Sequence, residues 1–265
     1  MAIKSPVSLP KDKKLNQLMK ALPEGVAASS AWLKAQGISR QLVQKYVDGG
    51  WLIRLAHGCY ILPGSPATWE GVLLGLSKLG SVALHVGGLT ALRRSGDVHY
   101  LEVGGEQKVE VWMPCKPPKW AAEVALQPSL NFHHKKLFLD SLDEVGMSLL
   151  KTGVRDWTLQ ISTPERAMLE MISNLDDSAE DFLYASEMVE GLTLARPALV
   201  QQLLTGCTSI KVKRLFLFLA DFHDLRWLKR LDMESINLGK GKRQIVKGGQ
   251  FDQRFQITVP SNFHG

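Results

Sequence analysis

Apolar residues recur at helical spacing three times within the first fifty residues, and two β-rich runs follow them. The predicted elements are helices over residues 13–22, 31–36 and 40–48 and strands over residues 51–56 and 59–62. Ser39 is placed to cap the third helix, and Gly37 allows a tight turn before it. Three helices followed by a hairpin is the order of a winged helix-turn-helix, which we predict for residues 1–64.

The rest of the chain mixes helical and β-rich segments, which predicts an α+β protein with a larger mixed α/β domain after the winged helix-turn-helix. The breaker cluster Pro63-Gly64-Ser65-Pro66 predicts a boundary. We expect a helical connecting layer over residues 65–95 and a C-terminal domain over residues 96–265. The helices expected after the boundary cover residues 69–79, 86–93, 167–172, 178–190, 198–204, 210–219 and 223–231. The expected strands cover residues 99–103, 108–113, 130–134 and 158–161, with a terminal hairpin of residues 245–247 and 255–259.

The distribution of charge changes this picture more than the net charge of +6 does. Residues 1–64 contain nine Lys or Arg and three Asp or Glu, so they carry the whole excess, and the other 201 residues are neutral. A basic module on a neutral body favours a polyanionic partner for that module.

Composition argues against a membrane or disulfide-rich protein. The longest apolar run, LFLFLA at residues 215–220, is far shorter than the roughly 18 residues that a membrane span requires. The first residues lack the apolar stretch of a signal peptide. The three cysteines form no CxxC pair, which favours a reducing, cytoplasmic setting.

The third helix has the chemistry of a DNA-recognition helix. The residues expected to contact DNA are Ser39, Arg40, Gln41, Gln44 and Lys45 on its outer face, and Arg54 and His57 on the hairpin. Arg and Gln side chains read base edges by paired hydrogen bonds, whereas Lys, Ser and the helix N-terminus suit phosphate oxygens. Arg54 and His57 are expected to reach the DNA backbone or the minor groove. The alternatives are a solvated helix face and a protein-binding adaptor.

A second basic segment lies near the C-terminus. Residues 65–210 have a net charge of −6 and residues 211–265 a net charge of +6. Its glycine-rich part carries Lys240, Lys242, Arg243 and Lys247. Three interpretations stay open: the segment docks on the acidic middle of its own domain, it adds phosphate contacts when the N-terminal module binds DNA, or it faces RNA, a nucleotide or an acidic partner. Its order is not that of a P-loop, and an ordinary β-hairpin explains it better.

No catalytic or metal signature stands out, so we expect neither an enzyme nor a cofactor or metal. Adjacent His133 and His134, considered with His85 or His99, point to opposite faces of a strand and rarely share an ion. Glu165 is expected to cap the helix that begins at Ser162. Arg166 has no evident local structural duty, which singles it out for a role beyond its own helix turn. Four tryptophans are predicted to lie in the core rather than form a base-stacking platform, namely Trp112, Trp120, Trp157 and Trp227.

Several segments together resemble the AbiEi antitoxins of AbiE, or type IV, toxin–antitoxin systems. They are LNQLMKALPEG and SSAWLKAQGISRQLVQKYVDGGWLIRLAHGCYIL near the N-terminus, TWEGVLLGLSKLG and VALHVGGLTAL within residues 68–92, ISTPERAMLEMI at 161–172, and INLGKGKRQIVKGGQFDQRFQITVP at 236–260. The resemblance spans nearly the whole chain in the family's order. It implies an N-terminal winged helix that binds inverted repeats in its own promoter and represses the operon. It also implies a C-terminal domain that takes part in phage defence by neutralising an AbiEii-like nucleotidyltransferase toxin, with which it need not form a stable complex. Because Arg166 lies in the ISTPERAMLEMI segment, the resemblance makes it a candidate toxin-facing or domain-stabilising residue.

We therefore expect a cytoplasmic, autoregulating antitoxin that is a monomer in solution and binds promoter DNA cooperatively. The nucleotidyltransferase signature of the toxin is missing, so this chain is not the toxin itself. The main alternative is a winged-helix regulator whose C-terminal domain senses a small ligand and has no toxin partner. A second alternative is an enzyme that uses the basic C-terminal segment on nucleic acid or nucleotides.

Overall fold

The computed structural model describes residues 11–95 and 108–263, with side chains from residue 13 onward. The described residues divide into two compact units. Unit 1 contains those of Met1–Leu84, together with Cys115–Leu130 and Leu150–Leu159. Unit 2 contains those of His85–Pro114, Asn131–Leu149 and Gln160–Gly265. The strand expected over residues 99–103, and with it His99, lies outside the described residues.

Helices and strands are interspersed along the described residues. The α-helices are α1 (Lys11–Ala21), α2 (Ser30–Ala35), α3 (Arg40–Asp48), α4 (Trp69–Leu74), α5 (Gly88–Ser95), α6 (Lys119–Glu123), α7 (Pro164–Ser173), α8 (Ala179–Glu190), α9 (Pro197–Gly206) and α10 (Ile210–Phe222). The strands are β1 (Ala28–Ser29), β2 (Ile53–Ala56), β3 (Cys59–Ile61), β4 (His85–Val86), β5 (Lys108–Trp112), β6 (Ser129–His133), β7 (Met147–Lys151), β8 (Thr158–Ser162), β9 (Arg243–Gln244), β10 (Gln250–Asp252) and β11 (Ile257–Val259). Within these ranges, no helix combines the length and apolar character that crossing a bilayer requires.

Unit 1 begins with the predicted three helices and hairpin. Strands β1, β3 and β2 form one sheet in that order, and both pairings are antiparallel. β1 is too short for a sequence pattern to reveal, but its pairing with β3 ties the segment before α2 to the hairpin. The helix, strand, helix, helix, hairpin order is that of a winged helix-turn-helix.

The turn between α2 and α3 forms for the reasons that the sequence indicates. The Oγ of Ser29 accepts a hydrogen bond from the N–H of Trp32 at 3.1 Å, and the Oγ of Ser39 accepts one from Leu42 at 3.3 Å. Each serine satisfies an amide that a helix start leaves unpaired. Gly37 has a φ of +76°, a conformation that residues with a Cβ rarely adopt.

The core of unit 1 draws on residues far beyond the hairpin. Ala27, Cys59 and Val72 are almost completely buried together. Half-buried apolar residues from elsewhere in the unit pack against them, including Trp120, Val124, Leu126 and Leu130. Burial raises the pKa of the Cys59 thiol to about 12, so this cysteine acts as a small apolar residue rather than a nucleophile.

Helix α4 continues into a π-helical turn over Gly75–Leu79, which together cover the predicted helix of residues 69–79. Two glycines on this helix allow the backbone of the preceding segment to approach. A Cβ on Gly71 would lie 1.8 Å from the carbonyl oxygen of Gly25, and one on Gly75 would lie 2.0 Å from that of Ala27. Close packing of these backbones therefore requires glycine at both positions.

A five-stranded sheet, ordered β6-β5-β4-β8-β7, has most of its residues in unit 2, which also contains the later helices. Strand β4 pairs antiparallel with β5 and parallel with β8. Helix α7 packs against α5, α8, α9 and α10. Trp112 and Trp227 are buried, as predicted for core tryptophans, whereas Trp120 and Trp157 of unit 1 are half-buried.

Several local predictions are wrong. Val86 lies in strand β4, so the helix expected over residues 86–93 begins only at Gly88. Residues 245–247 are not a strand, and β11 pairs instead with β10 and, in parallel, with β9. The helix after Ser162 has Thr163 as its N-cap, with no side-chain cap, and Ser162 itself ends β8. Helix α6 and strand β7 were not predicted because both lack a clear apolar period.

The close backbone approach at α4 gives a stability prediction. We expect Gly75→Ala to destabilise the protein by about 1–3 kcal/mol, because the new Cβ overlaps a backbone oxygen that cannot rotate away. The higher helix propensity of Ala works in the opposite direction by about 1 kcal/mol, so any loss measures the clash. Ser77→Ala in the same helical segment is the control and should change the free energy of unfolding by less than about 1 kcal/mol. Urea unfolding checks both, and an unchanged Gly75→Ala midpoint contradicts the packing described.

Candidate nucleic-acid interface

A groove of about 630 Å³ lies in unit 1 between helix α3 and the β2–β3 hairpin. Its lining residues are Ser30, Lys34, Ile38, Arg40, Gln41, Val43, Gln44, Arg54, His57, Gly58 and Tyr60. Five of the seven residues predicted to bind DNA are among them, namely Arg40, Gln41, Gln44, Arg54 and His57. The fold thus gathers side chains from a helix and a hairpin on one concave surface.

The other two predicted residues lie on the same helix. Ser39 caps α3, so its hydroxyl is engaged by a backbone amide, and Lys45 is exposed beyond the groove. Lys34 lines the groove although the sequence did not single it out. Its position on α2, one turn before Gly37, is the signal that could have revealed it.

Arg54 is held against helix α3. In the hairpin register it lies opposite Tyr60, and its guanidinium carbon is 5.7 Å from the centre of the Tyr60 ring. Its Nη2 donates to Oε1 of Gln44 at 2.8 Å, and Nε2 of Gln44 donates to Oδ1 of Asp48 at 2.7 Å. His57, by contrast, is exposed at the turn of the hairpin.

The second predicted surface is exposed and rests on a buried cation. Lys240, Lys242, Arg243 and Lys247 are all exposed. Beneath them Arg214, only 2% exposed, donates to four carbonyl oxygens, those of Leu238, Gly239, Gly241 and Gln256, at 2.6–3.2 Å. Burial and the neighbouring Arg243 lower the pKa of Arg214. Arg214 therefore shapes this loop, a role that no sequence pattern indicates because its acceptors are backbone oxygens.

Arg166 has a structural duty, which corrects the prediction that it had none. It is 5% exposed, and its Nε donates to Oε1 of Glu170 at 2.9 Å. Its Nη1 donates to the carbonyl oxygens of Leu142 and Val145 at 2.7 and 2.8 Å. The guanidinium also lies 4.5 Å from the centre of the Phe138 ring. These contacts leave the cation facing the interior of unit 2.

Glu170 is completely buried and accepts hydrogen bonds from four directions in unit 2. Besides Arg166, its donors are Nε2 of His85 at 2.8 Å, the hydroxyl of Ser162 at 2.8 Å and the N–H of Gly88 at 3.0 Å. Burial raises the pKa of this carboxyl, but His85, Arg166 and the amide of Gly88 together outweigh it and lower the pKa. Glu170 is therefore a carboxylate that links two strands and two helices.

The sequence predicted that Glu165 caps its helix, and this prediction is wrong: the side chain binds Arg196 instead. Its carboxylate accepts from the N–H, Nε and Nη2 of Arg196 at 2.9–3.0 Å. Burial raises the pKa of Glu165, and the hydrogen bonds from Arg196 reverse this and lower it to about 2. The partner lies 31 residues away, so no local motif could identify it.

Two of the histidines considered for a metal site, His85 and His133, have carboxylate partners. His85 contacts Glu170, and His133 contacts Glu110 and stacks on Trp112 with ring centres 4.9 Å apart. Among the residues that the structure describes, no group of three or more His, Cys, Asp or Glu side chains could hold a metal ion.

Two family models match the sequence. One, described as a transcriptional regulator, AbiEi antitoxin N-terminal domain, matches residues 11–103. The other, described as a transcriptional regulator, AbiEi antitoxin of a type IV toxin–antitoxin system, matches residues 106–260. The crystal structure of the RV2827C protein from Mycobacterium tuberculosis is similar, with a TM-score of 0.51 and 14% identity, covering 97% of this chain and 95% of that one. This likeness concerns the fold alone. No curated protein matches the sequence.

The buried carboxylates predict a stability loss in acid. Because the folded pKa of Glu165 is about 2, against 4.5 when unperturbed, its contribution is complete above pH 4.5 and disappears as the pH falls towards 2. We expect a contribution of at most about 3 kcal/mol. Glu165→Gln should reduce stability at pH 7 and flatten the dependence between pH 4.5 and 2, measured by urea unfolding. Glu190→Gln, an exposed carboxyl of the same unit, is the control, and a slope equally steep in Glu165→Gln contradicts this role.

Proposed function

Because the chain belongs to the AbiEi antitoxin family of transcriptional regulators in type IV toxin–antitoxin systems, we propose that it represses its own operon and neutralises a nucleotidyltransferase-like toxin. The observation that carries the first half is the groove of unit 1. There Arg40, Gln41 and Gln44 of α3 face Arg54 and His57 of the hairpin. This combination of cations and amides suits both phosphate oxygens and base edges.

At the promoter, α3 enters the major groove and presents its first two turns to the bases. The free amides of the helix start bind phosphate, as does Ser39, whose oxygen accepts from Leu42 while its O–H stays free to donate. Arg40, Gln41 and Gln44 contact base edges. Lys45, Arg54 and His57 add charge and further contacts. Two monomers occupy inverted repeats cooperatively and exclude polymerase, which makes the repression autoregulatory.

Unit 2 carries the antitoxin activity. Arg166 is buried, so it supports this activity by holding Glu170 and the loop at Leu142 and Val145 rather than by touching a toxin. Lys240, Lys242, Arg243 and Lys247 form the second contact surface, exposed and supported by Arg214. The protein acts in the cytoplasm as a binding protein rather than an enzyme, and neutralises its toxin without a stable complex, as part of phage defence.

The groove predicts a specific loss of promoter binding. We expect Arg40→Ala and Gln44→Ala each to weaken binding of the full-length protein to DNA from upstream of its own coding sequence by about 5- to 150-fold, since each removes about 1–3 kcal/mol of contacts. Gln17→Ala, an exposed glutamine on α1, is the matched control. Fluorescence anisotropy at two salt concentrations measures the affinities, and wild-type affinity should fall steeply with salt. Unchanged affinity in both groove variants contradicts the interface.

Repression and neutralisation should separate in the full-length chain. With the neighbouring toxin gene expressed from an independent promoter, we expect the Arg40→Ala/Gln44→Ala double variant to restore growth as well as wild type while failing to repress an operon reporter. Lys242→Ala/Arg243→Ala tests the second contact surface in the same two assays, because loss of growth rescue assigns it to the toxin and loss of repression assigns it to DNA. If the groove variant is stably expressed but rescues no growth, the division of roles is wrong. If the protein represses the reporter but no toxin gene lies beside its own gene, the ligand-sensing alternative is supported.

A further inference from the structure

Asp48 is an acidic residue in the otherwise basic DNA-binding module, residues 1–64, at a position where a negative charge is unfavourable. Residues 1–64 contain only three acidic residues, and Asp48 is the last residue of helix α3. A carboxylate at a helix C-terminus meets the negative end of the helix dipole. Next to DNA it also repels phosphates. An acidic residue at this position therefore costs both helix stability and general DNA affinity.

A chain of two hydrogen bonds gives Asp48 a role. It accepts from Nε2 of Gln44 at 2.7 Å, and this leaves Oε1 of the same amide to accept from Nη2 of Arg54 at 2.8 Å. An amide has one acceptor oxygen and one donor nitrogen, so a carboxylate partner fixes which end faces Arg54. With the opposite amide orientation, the Nε2 of Gln44 would face the guanidinium, and two donors would meet.

The same contact places Arg54 with the recognition helix rather than at the tip of the hairpin. Arg54 lies in the first strand of the hairpin, three residues before the turn at His57. The ladder is irregular between Arg54 and Ala56, and a bulge of this kind redirects side chains. The guanidinium is held between the Tyr60 ring and the Gln44 amide. These contacts place the Arg54 guanidinium beside Gln44, on the face that α3 presents to the groove of unit 1.

Resting on the proposed function, we infer that Arg54 reads a guanine in the major groove beside the contact of Gln44, and that Asp48 is the positioning residue that holds this pair in register. Only one N–H of the guanidinium is used by Gln44, and its other donors match the O6 and N7 acceptors of guanine. Asp48 thus lowers the affinity for DNA of any sequence and raises the preference for sites with guanine at this position.

The test is selection of binding sites from random double-stranded DNA by the full-length wild type and its variants, followed by affinities for the selected site and for unrelated DNA. Arg54→Lys keeps the charge but loses the planar fork, so it should lose guanine preference at one or two adjacent positions by about 5- to 150-fold. The other positions of the consensus and the affinity for unrelated DNA should stay within about twofold of wild type, because the phosphate contacts keep their charge.

Asp48→Ala supplies the second readout, in the opposite direction. It should bind unrelated DNA about two- to fivefold more tightly, because a charge that repels phosphates is gone. It should also lose part of the guanine preference at the same positions as Arg54→Lys. Glu24→Ala is the matched control, since Glu24 is an exposed acidic residue of the module that does not line the groove. It should retain the full consensus.

The outcomes separate this inference from the function on which it rests. A guanine preference that both Arg54→Lys and Asp48→Ala reduce at the same positions supports the inference. A wild-type consensus that survives unchanged in Arg54→Lys overturns the inference alone, and so does a loss confined to A·T-rich flanks, which would place Arg54 in the minor groove. If the wild type selects no consensus at all, the proposed operator binding fails, and this inference fails with it.

Discussion

The larger unit depends on a single carboxylate that has no access to water. Burying a charge is costly unless hydrogen bonds replace its hydration, and Glu170 receives them from a strand histidine, a strand serine, a helix amide and an arginine. This demand fixes its surroundings. A Cβ on Gly87 would lie 2.2 Å from Oε2 of Glu170. Position 87, which joins β4 to α5, therefore requires glycine. The polar contacts between α7 and the sheet follow from this one group.

Burial decides what each basic residue does in this protein. Arg166 and Arg214 are enclosed and donate mainly to backbone oxygens, which makes them parts of the scaffold. Arg40 and Lys45 on α3, and the four cations of the second contact surface, keep their charges in water. Only cations of this second kind can exchange counterions with a polyanion. The basic C-terminal segment, residues 211–265, therefore supplies Arg214 to the scaffold and four cations to the surface.

Local interactions account for the predictions that were confirmed. The third helix begins at Arg40 and ends at Asp48 as predicted, because a serine cap and a pair of glycines bound it. The hairpin and the strands over residues 108–112 and 158–162 were likewise indicated by their own residues. The membership in the AbiEi family is confirmed, since its carrying motifs are contiguous in sequence. By contrast, the two-residue strand β1 exists only because β3 lies beside it.

The sequence alone therefore determined the serine cap of α3, the outer face of that helix, the concentration of positive charge in the first 64 residues and the family. These properties depend on neighbours within about one turn or on composition. The tertiary structure decided which side chains meet, because such meetings depend on contacts between distant segments. It paired Glu165 with Arg196, buried Arg166 against Glu170, and brought Arg54 of the hairpin to Gln44 of α3. A charge pattern can indicate that a polyanion binds, but only packing determines which charges remain free to bind it.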